Sequence, residues 1–444
     1  MDRNLTNGSV WNAMLRFSLP FLLSYFLQTL YGMADLFIIG QFCGVESTTA
    51  VAVGSQIMHM LTVMIVGLAM GSVVMIGQAV GAGDRKRIAG TIGNTVSLFV
   101  PLSLLLTGIL LFAVDFLVKI MSTPQQAVPG TRIYLQICFL GIPFIVAYNM
   151  ISAVFRGLGD SKTPMYFVAA ACGMNIALDY LLIGGLHMGP AGAALGTVLS
   201  QTASVALSAA VISRRQKSLG LSRKDFQPVP KILKGILKIG VPVAIQDGFI
   251  QVAFLVITIF ANLRGLQDAA AVGIVEKMIG IFFLVPSSML QTVSSLSAQN
   301  MGAGKHERAR KTLFCACLIS LIWGAAVVLL MHWESRTLIG LFTDSREVTS
   351  LGCQYMRGYI WDCMFAGIHF SFSGYFCAYG YSLLSFLHNA LSIVCVRIPL
   401  SYLAARYCSE TLFPMGLASP AGSLLSLLIC VAAYIWMQKR RTSL

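Results

Sequence analysis

"GQAVGAGDRKR", residues 77–87, returns as "AQNMGAGKHER" at residues 298–308, 221 positions later. Two further echoes keep nearly the same spacing. "FSLPFLLSYF" at 17–26 pairs with "IGVPVAIQDG" at 239–248, and "FRGLGDS" at 155–161 pairs with "FCAYGYS" at 376–382. Three echoes at one spacing indicate that half the chain has been duplicated. The glycines of the first echo, Gly81, Gly83, Gly302 and Gly304, lie in basic connections and lack the Lys-Ser/Thr ending of a phosphate-binding loop. They read as turn residues, and no ATP-driven mechanism is visible.

What lies between the echoes is apolar. Of 444 residues, 57% are hydrophobic and 11% charged, and the mean hydropathy is +0.78; soluble domains carry roughly 25% charge. Apolar runs of a length that crosses a bilayer as helix stand near residues 14–39, 49–77, 89–114, 131–155, 164–187, 191–213, 235–263, 269–297, 310–333, 350–376, 383–405 and 414–438. The runs are continuous, which excludes a β-barrel's alternation. The expected fold is an all-α polytopic membrane protein with twelve transmembrane helices in two pseudo-two-fold related six-helix lobes. Residues 1–213 would form the N-lobe, 214–234 an inter-lobe loop and 235–444 the C-lobe. An even number of spans per repeat gives the copies parallel orientation, as in two-lobed secondary transporters that bind substrate between repeats.

Most of the 31 Lys and Arg fall at the termini and in the loops after even-numbered spans. By the positive-inside rule both termini are cytoplasmic, in a multi-pass protein of the cell (inner) membrane. The net charge of +14 therefore reflects topology and not nucleic acid. The basic stretch Arg214 to Lys238 is suited to anionic lipid headgroups. The first span is too long for a signal-peptide core, so no processing is expected. Eleven cysteines are scattered without metal-site spacing and read as small apolar residues. No nucleophile-base pair or resident cofactor site stands out, so an enzyme is not expected, and a monomer is.

Charged groups at bilayer depth are costly and usually serve function. In the first span Ser24, Gln28, Tyr31 and Asp35 step by four, three and four residues and share a helical face. In the fifth, Asn175 and Asp179 are four apart; the sixth offers Thr197. A compact N-lobe would bring Asp35, Asn175, Asp179 and Thr197 together. Their hard oxygens suit Na⁺ or a shared proton, and two neighbouring carboxylates repel one another unless such a cation joins them. The second repeat has Val256 or Ile257, Val396 and Leu400 at the positions of Asp35, Asn175 and Asp179, so the site should be asymmetric. In the C-lobe, Asp247, Gln251, Thr258 and Asn262 share one face, and Asp362, His369 and Ser373 another. With Gln28 and Tyr31, the residues Asp247, Gln251, Asp362 and His369 are candidates to line a substrate cavity. Arg397 could pair with a carboxylate for stability. His388 has no metal-ligand partner at helical spacing, and packing is its expected role.

Taken together, "FSLPFLLSYFLQTLYGMADLFIIG", "GQAVGAGDRKR", "FRGLGDSKTP", "NIALDYLLIGG…GPAGAALGTVLSQ" and "VRIPLSYL" resemble the multidrug and toxic compound extrusion (MATE) family, in order and over essentially the whole chain. The resemblance implies an antiporter that exports organic cations and other amphipathic compounds in exchange for Na⁺ or H⁺, with two lobes that alternate access. It matches Asp35, Asn175, Asp179 and Thr197 to the family's N-lobe cation site and Pro20 to its helix-bending proline. In the C-lobe, the family's seventh-span glutamate is replaced by Gln251, with Asp247 one turn earlier, and Asp362 is offset, so no ion site is expected there. A rival of the same superfamily is a flippase of lipid-linked oligosaccharides or lipids, which would need cavity cations for a pyrophosphate.

Overall fold

The computed structural model describes residues 5–408 and 410–442, except the side chains of residues 214–219 and 440–442; part of the basic stretch from Arg214 falls among these. Where no water reaches the backbone, its polar groups must pair within the segment, and each of the twelve expected spans is helical. The first three are α1 (Val10–Phe42), α2 (Val45–Gly81) and α3 (Arg85–Ile120). The fourth is broken into α4 (Val128–Leu140) and α5 (Ile142–Gly157), bent by 50°; Pro143 cannot donate at that junction. The fifth is α6 (Lys162–Asp179), continued by a π-helical segment, Tyr180–Gly185, and the sixth is α7 (Gly189–Leu219).

The second repeat opens with α8 (Pro230–Arg264), then α9 (Leu266–Phe282) and α10 (Leu284–Gly302), which together form one span, and α11 (His306–Gly340). The tenth span is the pair α12 (Arg346–Tyr359) and α13 (Asp362–Ala378). Next come α14 (Ser382–Ser392), a π segment at Ile393–Arg397, and α15 (Ile398–Tyr407), then α16 (Phe413–Thr442). Among the described residues, ten helices are long and apolar enough to cross a membrane, or eleven if the bent α4–α5 pair counts as one span. The α12–α13 pair is not among them. It carries Arg346, Glu347, Arg357 and Asp362, charges that lower its hydropathy. Large apolar side chains face outward, Phe112 being 94% exposed, as befits a protein whose solvent is lipid.

The echoes mark equal turns. Gly83 and Gly304 have φ of 69° and 70°, and Gly159 and Gly380 have φ of 87° and 77°, a backbone region in which glycine carries no steric cost. Asp84 caps α3 by accepting from the Arg87 amide at 2.9 Å.

Two compact units emerge. Unit 1 holds Met1–Leu5 and Leu19–Ala244; unit 2 holds Thr6–Ser18 and Ile245–Leu444. The divisions fall inside α1 and α8, within two residues of Pro20 and Pro242. In unit 1 the first part of α8 crosses α2 where both are bare: a Cβ at Gly71 would overlap the Ile236 carbonyl, and one at Gly240 the Leu68 carbonyl. In unit 2 the first part of α1 meets α10, with the Ser288 hydroxyl donating to the Ser18 carbonyl at 3.0 Å. The core of unit 2 gathers Ile257, Val275, Met278, Val327, Tyr355 and Tyr359.

The segment leading into α8 lies flush on α3. Asn94, fully buried, accepts from the Val229 amide at 2.6 Å and donates to the Asp225 and Gln227 carbonyls at 3.3 Å each. Asn94→Ala strands three backbone groups, and buried unpaired groups cost about 1–3 kcal/mol each. A lowered melting temperature in detergent is the expected outcome; an unchanged one would mean that water replaces the amide without loss.

Candidate functional site

The carboxylate in the first span sits where helical spacing put it, buried inside unit 1. Asp35 is 4% exposed, Asn175 1% and Asp179 0%; Thr197 is half-buried. Asp179 is the last residue of α6, and the chain then widens into the π segment, a distortion frequent at functional positions. Asp179, Asn175 and Thr197 all lie close enough to act on the Asp35 carboxylate. Even so, Asp35 Oδ1, both Asp179 oxygens, Asn175 Oδ1 and Nδ2, and Thr197 Oγ1 are buried without a hydrogen-bond partner among the described residues. Buried polar atoms are almost always paired, and a carboxylate buried unpaired is more costly still. Five of the six are oxygens, from two carboxylates, an amide and a hydroxyl. That donor set fits a hard monovalent cation or a proton.

A residue outside the sequence reading completes the site. Gly196, on α7 beside Thr197, faces Asp179: a Cβ there would overlap Asp179 Oδ1 and stand 3.6 Å from Asn175 Nδ2. The absent side chain is what lets α6 and α7 close around the carboxylate. Tyr31, one turn before Asp35, is half-buried with Asp35, Tyr148 and Cys172 as electrostatic neighbours. Gln28 is half-buried too. Ser24, the first member of the polar stripe, donates to its own backbone at the Pro20 carbonyl, 2.8 Å away, a bond that tends to bend helices. α1 nonetheless runs through Pro20 as one helix.

Of the unit 2 candidates, Asp362 and His369 share a neighbourhood, both lying close to Ser423 and Arg397. Asp247 is half-buried near Cys377, while its neighbour Gln246 is buried and accepts from Ser385 at 2.7 Å. Gln251 is half-buried. Asp362 is 1% exposed, and neither of its oxygens has a partner among the described residues. Close by, Arg397 donates to the Tyr359 hydroxyl at 2.5 Å and stands 4.8 Å from the Phe254 ring centroid. Arg397 forms no ion pair within 4.0 Å among the described residues; the carboxylates around it, Asp362 and Glu276, act from further off. His369 meets Ser423 at 3.3 Å, and His388 is held by Ser373 and Ser426 at 2.9 and 3.2 Å. A buried arginine in unit 1 was also missed: Arg156, 7% exposed, lies over the Phe21 ring at 5.6 Å. Its place at a span end gave no sequence signal of burial.

Comparison with known proteins identifies the chain's family. The MatE family matches residues 20–181 and 242–403, two stretches displaced by one repeat. A probable multidrug resistance protein of Bacillus subtilis strain 168, YoeA, is 26% identical over 98% of this chain and 96% of its own length. A second from the same strain, YpnP, is 30% identical over 93% of each. Among solved structures, the outward-facing conformation of a multidrug resistance MATE family transporter of the MOP superfamily superposes with a TM-score of 0.91. That match has 22% identity and covers 100% of this chain and 98% of that one, which shows the shared fold. Duplicated halves, membrane-spanning helices and a family match in each half lead to one conclusion: the chain belongs to the MatE family of multidrug efflux transporters.

Proposed function

We propose that this transporter is a secondary antiporter, exporting organic cations, drugs or other amphipathic compounds in exchange for Na⁺ or H⁺. The observation that carries the reading is the set of buried, unpartnered oxygens of Asp35, Asn175, Asp179 and Thr197. The ion travels as substrate, and no other cofactor takes part. With no cation between them, Asp35 and Asp179 repel. A cation between them cancels one of the two charges, relieves the repulsion and draws α1, α6 and α7 together. An ion that prefers one conformation shifts the population toward it, and ion and solute must alter each other's affinity by the same factor. Pro20 supplies a place for α1 to bend, since it withholds a backbone donor. The protein works as a monomer in the cell (inner) membrane, with both termini in the cytoplasm, where the basic loops accumulate.

Efflux of a fluorescent organic cation from proteoliposomes, under separately imposed Na⁺ and H⁺ gradients, tests the reading and names the ion. Export under one gradient and its collapse with an ionophore is the expected result. No response to either gradient would sink it. A flippase reading draws on Arg156 and Arg397, buried with unpartnered nitrogen atoms among the described residues. Translocation of a labelled lipid pyrophosphate in the same vesicles, without ion dependence, would favour that alternative.

A further inference from the structure

The two repeats treat the start of their third span differently. In unit 1 the connecting segment seals against α3: a Cβ at Gly93 would overlap the Asp225 carbonyl, and the Ser97 hydroxyl donates to the Phe226 carbonyl at 2.5 Å. One repeat later, Gly93, Asn94 and Ser97 become Phe314, Cys315 and Leu318. A phenylalanine at the place where even a methyl would collide cannot permit the same seal. The segment before α1 is held off by longer arms instead. Lys305 Nζ donates to the Thr6 carbonyl at 3.0 Å and to Asn7 Oδ1 at 2.7 Å; Arg308 donates to the Asn7 carbonyl at 2.9 Å and the Gly8 carbonyl at 2.5 Å.

What results is a cavity of about 770 Å³ within unit 2, lined by Trp11, Lys305, Glu307, Arg308, Lys311 and Phe314. Its charge is positive. Glu307 is engaged by Arg310 at 2.8 Å, whereas Lys311 is exposed and makes no ion pair or hydrogen bond among the described residues. Its walls are apolar and open: Trp11 is 41% exposed and Phe314 54%, and Leu15 and Leu318, one helical turn along from each, are also exposed. Cations at the mouth, an indole beside them and an exposed apolar track along α1 and α11 match an amphiphile with an anionic head and acyl tails.

We propose that this cavity binds an anionic phospholipid from the leaflet that faces the chain termini. The phosphate would lie among Lys305, Arg308 and Lys311, and the acyl chains along Phe314 and Leu318. Charge complementarity decides the occupant, since a zwitterionic lipid brings an ammonium into a site already cationic. The same site is closed in the first repeat, so one lipid should bind per chain through this feature.

Native mass spectrometry of the purified, detergent-solubilised chain tests this with phosphatidylglycerol, phosphatidylcholine and inorganic phosphate as probes. The wild type should retain one phosphatidylglycerol and release phosphatidylcholine. Lys311→Glu should weaken retention about tenfold or more, since each basic residue at an anionic surface contributes roughly a factor of five to ten. Lys86→Glu, the same charge change on the sealed repeat, should leave retention intact, and unchanged melting temperatures would show that both variants fold. Equal retention by wild type and Lys311→Glu overturns the proposal, as does equal loss in both variants. Displacement of the lipid by 10 mM inorganic phosphate, a concentration on the order of a weak soluble-anion site, would also overturn it.

Discussion

Asp35→Asn is expected to abolish ion-coupled export while the protein still folds and inserts. The amide keeps the volume and one acceptor oxygen but cannot take up and release a cation with change of charge. Coupling free energies of about 1–3 kcal/mol correspond to about 5- to 150-fold in affinity, and with that coupling lost export should no longer respond to the gradient. Removing one of two buried like charges relieves repulsion, so the melting temperature should hold or rise. The measurement is efflux from a pump-deficient cell beside thermal unfolding of the purified variant. Normal efflux would end the role assigned to Asp35, and a collapsed fold would reassign it to structure.

Gly196→Ala should disable the same site from the opposite side. The added methyl overlaps Asp179 Oδ1, and overpacking of this kind costs about 1–3 kcal/mol, so both transport and melting temperature should drop. Gly173→Ala is the control: nothing lies within 4 Å of a Cβ there, and alanine at a helical glycine adds about 0.5–1 kcal/mol of stability. The decisive comparison is the double variant Gly196→Ala with Asp179→Ala. Removing the carboxylate should restore the melting temperature lost to the methyl without restoring export, the non-additivity expected of touching residues. If the two losses simply add, Gly196 does not act through Asp179.

Much of this site was legible because helical geometry is local. Asn175 and Asp179 are four apart, so their shared face follows from the chain alone, and the cost of a carboxylate in an apolar run marks Asp35 without any partner in view. Gly196 was not legible. A glycine in "GAALGTVLSQ" reads as ordinary helix packing, and only the approach of another helix shows that a side chain is forbidden there. Ser24, on the same polar stripe, also satisfies its own helix by donating to the Pro20 carbonyl, a pairing the spacing alone does not reveal. An arginine inside a span, such as Arg397, calls for a carboxylate partner, yet what it touches is Tyr359 and Phe254. Cation–π contact leaves no periodic trace in a sequence. The repeat spacing revealed the duplication, but not that each compact unit includes part of a helix whose remainder belongs to the other unit.

That exchange has a consequence for biosynthesis. A nascent chain that has emerged as far as residue 213 contains all six spans of the first repeat, yet it lacks Pro230–Ala244, the stretch whose Gly240 and Ile236 carbonyl seat against α2 in the finished unit. Translation must proceed past the equivalent proline of the second repeat before the first half can close. The gene therefore has no clean break at its midpoint, and a split placed there would leave a first fragment with its groove along α2 exposed to chaperones and proteases until the remainder of α8 arrived.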